Sequence, residues 1–300
     1  MSVMYRERFR IRIHECDAWG HLNHVHYFHL MQQAALSACA ALGWGRERFV
    51  SEGMVWVVRR TEITYRREIP FDADIILETC VTAIERSSCL REYRFVAADG
   101  SLYAEASSEW VLLDRESGRP RRIDPLLEAV FLGEAASGEW CRSRIELGLP
   151  PEGAWRVRHR VGFRDLDMDW RVNNAVYVAW TEDCGLGILD GYGWPFARMV
   201  GQDFAIVARR YEIDYRAPAQ PGDEVETATW VSSVRGVSAE RNYLVIRAGD
   251  GAILAQAKAL WAWVSLSTGR PVPIPAEFYA DFVKNFAPGV DDGRLLRSRG

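Results

Sequence analysis

Four segments of the first half alternate apolar and polar positions: "VVRRTEITYRREI" (57–69), "DIILETCVTAIE" (74–85), "CLREYRFVAADG" (89–100) and "LYAEASSEWVLLD" (102–114). They are rich in β-branched and aromatic side chains and bounded by turn residues, which predicts half-buried strands. Ahead of them, Val25, Phe28, Met31, Ala35, Ala38 and Leu42 recur at helical spacing within "HVHYFHLMQQAALSACAAL", and Gly43 follows where a helix would stop. The helix is preceded by a short strand, "RFRIRI". One apolar helix followed by about four antiparallel strands predicts an α+β arrangement in which an antiparallel sheet wraps around a central helix.

The whole pattern is written twice. "DMDWRVNNAVYVAWTEDCGLGILDGYGW", Asp167 to Trp194, repeats the opening stretch in register: Asp17 and Asp167, Asn23 and Asn173, Tyr27 and Tyr177, Gly43 and Gly193 are each 150 apart (167 − 17 = 150). The register carries on to "RRTEITYR" (59–66) over "RRYEIDYR" (209–216), then shifts to 151 where "EWVLLDRESGRP" (109–120) meets "LWAWVSLSTGRP" (260–271). Self-similarity over this length is a tandem duplication. It divides the chain into a first domain at 1–135, a connector at 136–154, a second domain at 155–285 and a polar tail at 286–300. Gly191 or Gly193 is the helix stop of the second copy.

Composition narrows the partners. With 300 residues and 48% hydrophobic content the chain is long enough for two cores, and a net charge of -4 gives no basic field for nucleic acid or an anionic membrane. No apolar run approaches the roughly 20 residues of a membrane span. The six cysteines form no CxxC pair and the N-terminus lacks the apolar core of a signal peptide, so reduced thiols and a cytoplasmic location are expected.

The chemistry-bearing residues gather at the mouth of each helix. Asp17, His21, Asn23 and His24 stand before and at the start of the first helix; Asp167, Asn173 and Asn174 hold the same places in the second. A helix N-terminus presents unpaired amides and a positive dipole end, so the amides of His24 and Asn174 are natural donors to an oxyanion. Tyr27 and Tyr177 either line a cleft there or pack in the core. His21, His24, His26 and His29 fall within nine residues, but no HExxH-like spacing completes a ligand set, and neither metal nor cofactor is expected.

The aspartate, the "GHLN" or "RVNN" that follows, the tyrosine beyond, and "EITYRREIP" with its acidic turn resemble the hotdog-fold thioesterases of the 4-hydroxybenzoyl-CoA thioesterase type. "DLDMDWRVNNAVYVAW" is similar to the matching stretch of acyl-ACP thioesterases, themselves tandem hotdogs. The resemblance runs from Phe9 to about Pro125 and from Val157 to about Tyr279. It implies two tandem hotdog domains forming an intrachain pseudo-dimer, with further assembly into a homo-oligomer possible for such folds. It also implies an acyl-CoA or acyl-ACP substrate hydrolysed to free acid and thiol, with the aspartate as general base or nucleophile.

Carried over residue by residue, the resemblance makes Asp17, His21, Asn23 and Asp167 catalytic candidates, and His24, Tyr27, Asn173, Asn174 and Tyr177 candidates for substrate binding. The second copy departs from the family, carrying Asp169 and Arg171 where acyl-ACP thioesterases have an asparagine and a histidine. The first copy is therefore expected to be the working site. Two other activities fit the same pattern: hydration or dehydration of enoyl and 3-hydroxyacyl thioesters, and acyl-thioester binding without catalysis. No GxSxG elbow appears, which argues against a serine hydrolase.

Overall fold

The alternating segments are strands in the structure, a computed structural model that describes residues 3–133, 138–140 and 143–290. The chain divides into two compact units, Met1–Arg144 and Ile145–Gly300. The first runs β1 (Tyr5–Arg10), α1 (His24–Ala41), α2 (Arg46–Ser51), β2 (Met54–Tyr65), β3 (Asp74–Glu85), β4 (Ser88–Ala97), β5 (Leu102–Asp114) and α3 (Pro125–Leu132). Its strands are antiparallel in the order β1-β3-β4-β5-β2.

The second unit repeats this as β6 (Trp155–Arg160), α4 (Asn174–Gly191), α5 (Phe196–Gly201), β7 (Phe204–Tyr215), β8 (Glu224–Arg235), β9 (Ser238–Arg247), β10 (Ile253–Ser265) and α6 (Ala276–Phe282). The order is β6-β8-β9-β10-β7, again antiparallel. Even the irregularities recur: the register slips between Val81 and Ala83 on β3 and between Val231 and Ser233 on β8. Such bulges bend a sheet locally, so shared positions give the two sheets the same curl.

In each unit the long helix is the core. The apolar stripe of α1 is buried from Val25 to Ala38, and Tyr27, Leu30, Ala34 and Cys39 widen it to most of the helix circumference. α1 packs on β1 and β3; α4 packs on β6, β8 and β9. Both helices end in the same way, with Gly43 (φ 78°) and Gly193 (φ 77°) left-handed and the next amide reaching back: Trp44 N to Cys39 O at 2.9 Å and Trp194 N to Leu189 O at 2.8 Å. This six-to-one closure needs the positive φ that glycine adopts without penalty. Gly191 has a different reason to be glycine, since an added Cβ would lie 2.3 Å from the Trp155 ring.

Strand β2 starts at Met54 and ends at Tyr65, earlier than the alternation predicts. Beyond it Arg66 and Arg67 both donate to Tyr103 O, and Ile69 turns in toward the helix mouth. Five described cysteines are free thiols, Cys16, Cys39, Cys80, Cys89 and Cys184. Cys141 lies outside the described residues, as do 136–137 and 141–142 of the expected connector and 291–300 of the expected tail. The start of that tail is packed: Phe286 pairs in parallel with Val231, and Ala287 N donates to Val231 O at 2.8 Å.

Candidate active site

Between β1 and α1 the chain folds into a tight loop. Cys16 and Leu22 form an antiparallel bridge, Asp17 N donates to His21 O at 2.8 Å, and Gly20 N returns to Asp17 O at 3.1 Å. The Asp17 carboxylate sits inside this turn, where Oδ1 accepts from Trp19 N at 2.9 Å and His21 N at 3.2 Å. Both bonds fall on one oxygen, and among the described residues Oδ2 accepts none. One oxygen builds the turn, as Asx residues do.

The second copy makes the same turn. Asp167 Oδ1 accepts from Asp169 N at 2.8 Å and Arg171 N at 3.3 Å, and Asp167 N donates to Arg171 O at 2.8 Å. Arg171 forms no ion pair with Asp167, and the half-buried His21 ring makes no hydrogen bond among the described residues. The backbone thus brings Asp17 and His21 side by side without joining their side chains.

The two turns differ at one backbone position. Gly20 has φ 79°, and its counterpart Trp170 has φ 58° while its side chain is 68% exposed. A left-handed conformation costs a non-glycine residue roughly 1 kcal/mol. Trp170→Gly is accordingly expected to raise stability by a few tenths to about 1 kcal/mol, allowing for the extra freedom glycine gives the unfolded chain. Urea unfolding of the two proteins checks this.

Both loops are tied to the segment that follows β2 or β7. Leu22 N donates to Ile69 O at 2.7 Å, His21 pairs with Pro70, and Phe71 N donates to Gly20 O at 2.9 Å. In the copy, Val172 N reaches Ala219 O at 3.5 Å. Tyr27 and Tyr177 bolt these layers together. The Tyr177 hydroxyl accepts from Ala219 N at 2.7 Å, and that of Tyr27 is bonded to the Ile69 backbone. Both rings are 3% exposed. Burial raises both phenols, Tyr177 to about 12, so each stays protonated.

At the helix mouth, Asn23 and Asn173 are the N-caps: their Oδ1 atoms accept from Val25 N at 2.8 Å and Ala175 N at 2.9 Å. His24 and Asn174 come next, as the first helical residues, with their amides directed out of the N-terminus. Here the copies diverge again. The Tyr65 hydroxyl is hydrogen-bonded to Nδ1 of His24, whereas that of Tyr215 donates to the Asn174 backbone O at 3.0 Å.

His24 is half-buried, and desolvation of its ring lowers its pKa from 6.5 to about 3. A neutral ring can accept the Tyr65 proton at Nδ1. In the unfolded chain the ring titrates near its ordinary value, so the unfolded state binds one more proton than the folded state between those two pH values. The stabilising difference is complete above 6.5 and is lost as pH falls toward 3, at about 1.4 kcal/mol per pH unit. Denaturant titrations at pH 7, 6 and 5 are expected to show a slope shallower by about one proton in His24→Asn, which carries the residue of the second copy.

The remaining histidines of this helix meet each other. His26 and His29 face each other with Nδ1 atoms 3.4 Å apart, and burial lowers both pKa values. Among the described residues no group of three or more potential metal ligands stands together. Arg60 and Arg210, which recur in the repeat, pair with Glu62 at 3.6 Å and Glu212 at 3.0 Å.

Sequence comparison agrees with the repeat. Residues 2–131 match the family model for the acyl-ACP thioesterase N-terminal domain, and residues 161–282 match that of the thioesterase-like superfamily. Both halves of the chain belong to the thioesterase superfamily. A chloroplastic acyl-[acyl-carrier-protein] hydrolase of Cuphea viscosissima is 27% identical over 207 residues, which is 67% of this chain and 46% of the relative. The chain thus spans about half the length of that relative. An acyl-CoA thioester hydrolase of Escherichia coli is 28% identical over 128 residues, 43% of this chain and 93% of the relative. The thioesterase-superfamily fold is also that of a Lactobacillus plantarum protein of known structure, with a TM-score of 0.76, 22% identity and coverage of 91% and 98% of the two chains. No helix among the described residues is long and apolar enough to cross a membrane.

Tyr65 and the Ile69–Pro70 segment border the first helix mouth; they stand within the quoted "EITYRREIP" but were not among the site candidates. Their signal was present, since Tyr65 and Tyr215 keep the 150-residue register within "EITYR" and "EIDYR".

Proposed function

We propose that the chain hydrolyses acyl thioesters of CoA or acyl-carrier protein, with the Asp17 loop as its working site. The observation that carries the reading is the divided carboxylate of Asp17: Oδ1 is held by two amides while Oδ2 accepts no bond among the described residues. A base so oriented can act on a water without losing its own position.

In this reading Oδ2 takes a proton from water as the water oxygen attacks the thioester carbonyl carbon. The carbonyl oxygen gains the negative charge, and the outward amide of His24 with the positive helix end stabilises it. Collapse breaks the C–S bond, the acid leaves, and the thiolate takes a proton from solvent or from the carboxyl formed on Asp17. Thiolate is a good enough leaving group to need no dedicated acid. Asn23, His21 and Tyr27 serve by fixing the loop against the helix mouth and the Ile69 segment, with the His21 ring at hand for the water.

The second copy has the same divided carboxylate but carries Arg171 and Asp169 beside it. Asp167, Asn173, Asn174 and Tyr177 are assigned to a second acyl-thioester site of lower activity or to binding alone. The five free thiols suit a reducing compartment such as the cytoplasm. The carrier is open between CoA and protein, because the E. coli relative acts on the first and the Cuphea relative on the second.

The test is thiol release from short, long and aromatic acyl groups presented both on CoA and on acyl-carrier protein. Saturable release from one of these series is the expected result. Loss of enoyl absorbance from crotonyl-CoA without thiol would replace hydrolysis by hydration, and thermal stabilisation by acyl-CoA with no thiol over hours would leave a binding protein.

A further inference from the structure

Arg91, on β4, is a buried charge without an anion among the described residues. It is 5% exposed, and among the described residues its guanidinium reaches only Thr79 Oγ1 at 3.4 Å and Cys39 Sγ at 3.8 Å, both long contacts to neutral groups. No carboxylate among the described residues pairs with it. Proteins rarely bury an arginine in this way, because the lost hydration is repaid only by a counter-charge and full hydrogen bonding.

The duplication supplies an internal comparison. The counterpart of Arg91 is Arg241 (241 − 91 = 150), which meets Thr229 Oγ1 at the same 3.4 Å. There the second partner is a strong acceptor, Asn285 Oδ1 at 3.1 Å, and Asn285 is itself fully buried. The space beside Arg241 is correspondingly small, about 20 Å³. Beside Arg91 there is a cavity of about 50 Å³, walled by Ala38, Leu42, Val81 and Phe131, with the 45% exposed Met4 at its lip. One water needs roughly 10–15 Å³, so the space holds the three or four heavy atoms of a carboxylate and its α-carbon, with the rest of a chain passing the lip.

We propose that this cavity is a binding site for a carboxylate, whose oxygens take the place at Arg91 that Asn285 Oδ1 fills at Arg241. The apolar wall fits a carboxylate on an aliphatic chain better than a phosphate, which would need more donors than one guanidinium and a hydroxyl. The site lies by Ala38 and Leu42, at the opposite end of α1 from the Asp17 loop. Two sources have this chemistry: a free aliphatic acid, and the far end of an acyl group that carries a second carboxylate. The site stands whether or not the chain hydrolyses thioesters.

Calorimetric titration of the full chain with hexanoate tests it. Saturable binding is expected, weakened at least tenfold in Arg91→Met, absent for hexanamide, and unchanged in Arg241→Met. Met4→Trp, made from the exposed lip, is expected to weaken binding equally with Arg91 in place, so the result does not hang on the folding of one core variant. A wild type that binds no hexanoate, or an Arg91→Met variant that binds it as well, overturns the proposal. So would binding that appears only in Glu134→Gln: Glu134 stands at the sequence register of Asn285 (285 − 151 = 134) and lies outside the described residues, and such a result would mean that the chain supplies its own carboxylate. Competition separates the sources. A hexyl-CoA thioether bearing a terminal carboxylate displaces hexanoate if the site holds the far end of an acyl group, and fails to displace it if the ligand is a separate acid.

Discussion

Asparagine in place of Asp17 is expected to lower thioester hydrolysis by roughly 10²- to 10⁴-fold while leaving the melting temperature nearly unchanged. The amide Oδ1 can still accept from Trp19 N and His21 N, so the turn survives. What is lost is the basic oxygen facing water. Alanine at the same position is expected to lose the activity and, in addition, about 1 kcal/mol of stability, because two amides of the turn lose their acceptor. The pair of variants separates the turn-building oxygen from the reactive one. Equal activity losses with equal destabilisation in both would make Asp17 a turn former alone. In Asp167→Asn the loss is expected to be smaller, since Asp169 and Arg171 stand where the first loop has Trp19 and His21.

The largest stability effect is expected far from either loop, at Asn285. Its Nδ2 donates to Gly153 O at 3.1 Å and Thr229 O at 2.9 Å, and its Oδ1 accepts from Arg241. It therefore pins the end of the second domain to the segment before β6 and to β8 at once. Asn285→Ala leaves two carbonyls and a guanidinium buried without these partners, at about 1–3 kcal/mol each, so a total of roughly 3–5 kcal/mol is expected after relaxation. Arg241, whose pKa burial already lowers, carries most of it. Asn285→Asp is expected to fall between, since it keeps an acceptor for Arg241 but donates to neither carbonyl. Chemical unfolding of the three proteins reads the order directly; an alanine variant within 1 kcal/mol of the wild type would mean that water replaces the side chain.

Much of this molecule was legible before its structure. Period-two alternation located β3 and β5 to the residue, because strands half-buried on one face leave that signature. The duplication then doubled every observation. The loop was legible as a place: Asp17, His21, Asn23 and Asp167 all stand where the chain enters its long helices. Individual roles were less so. Asn23 reads as a catalytic candidate, and its bond to Val25 N makes it the N-cap of the helix. Tyr27 was open between cleft and core, and it is buried with its hydroxyl on the Ile69 backbone. Contacts between distant positions left no local trace. Tyr65 meets His24 across 41 residues, and Asn285 meets Gly153 across 132, so neither follows from spacing.

The two helix mouths show why near-identical loops need not share a chemistry. Each holds an aspartate by one oxygen, and each has an asparagine cap. Yet the first opens on a half-buried neutral histidine held by Tyr65 and the second on Asn174, with Trp170 strained beside it. Fold fixes the carboxylate in both, while the flanking residues set what it can act on.

The most direct measurement follows free thiol and free acid together from one long-chain acyl-CoA, with the wild type and the Asp17→Asn, Asp167→Asn double variant side by side. Equimolar thiol and acid from the wild type, and only background release from the double variant, are expected. Release by the double variant at the wild-type rate would contradict hydrolysis by the helix-mouth aspartates.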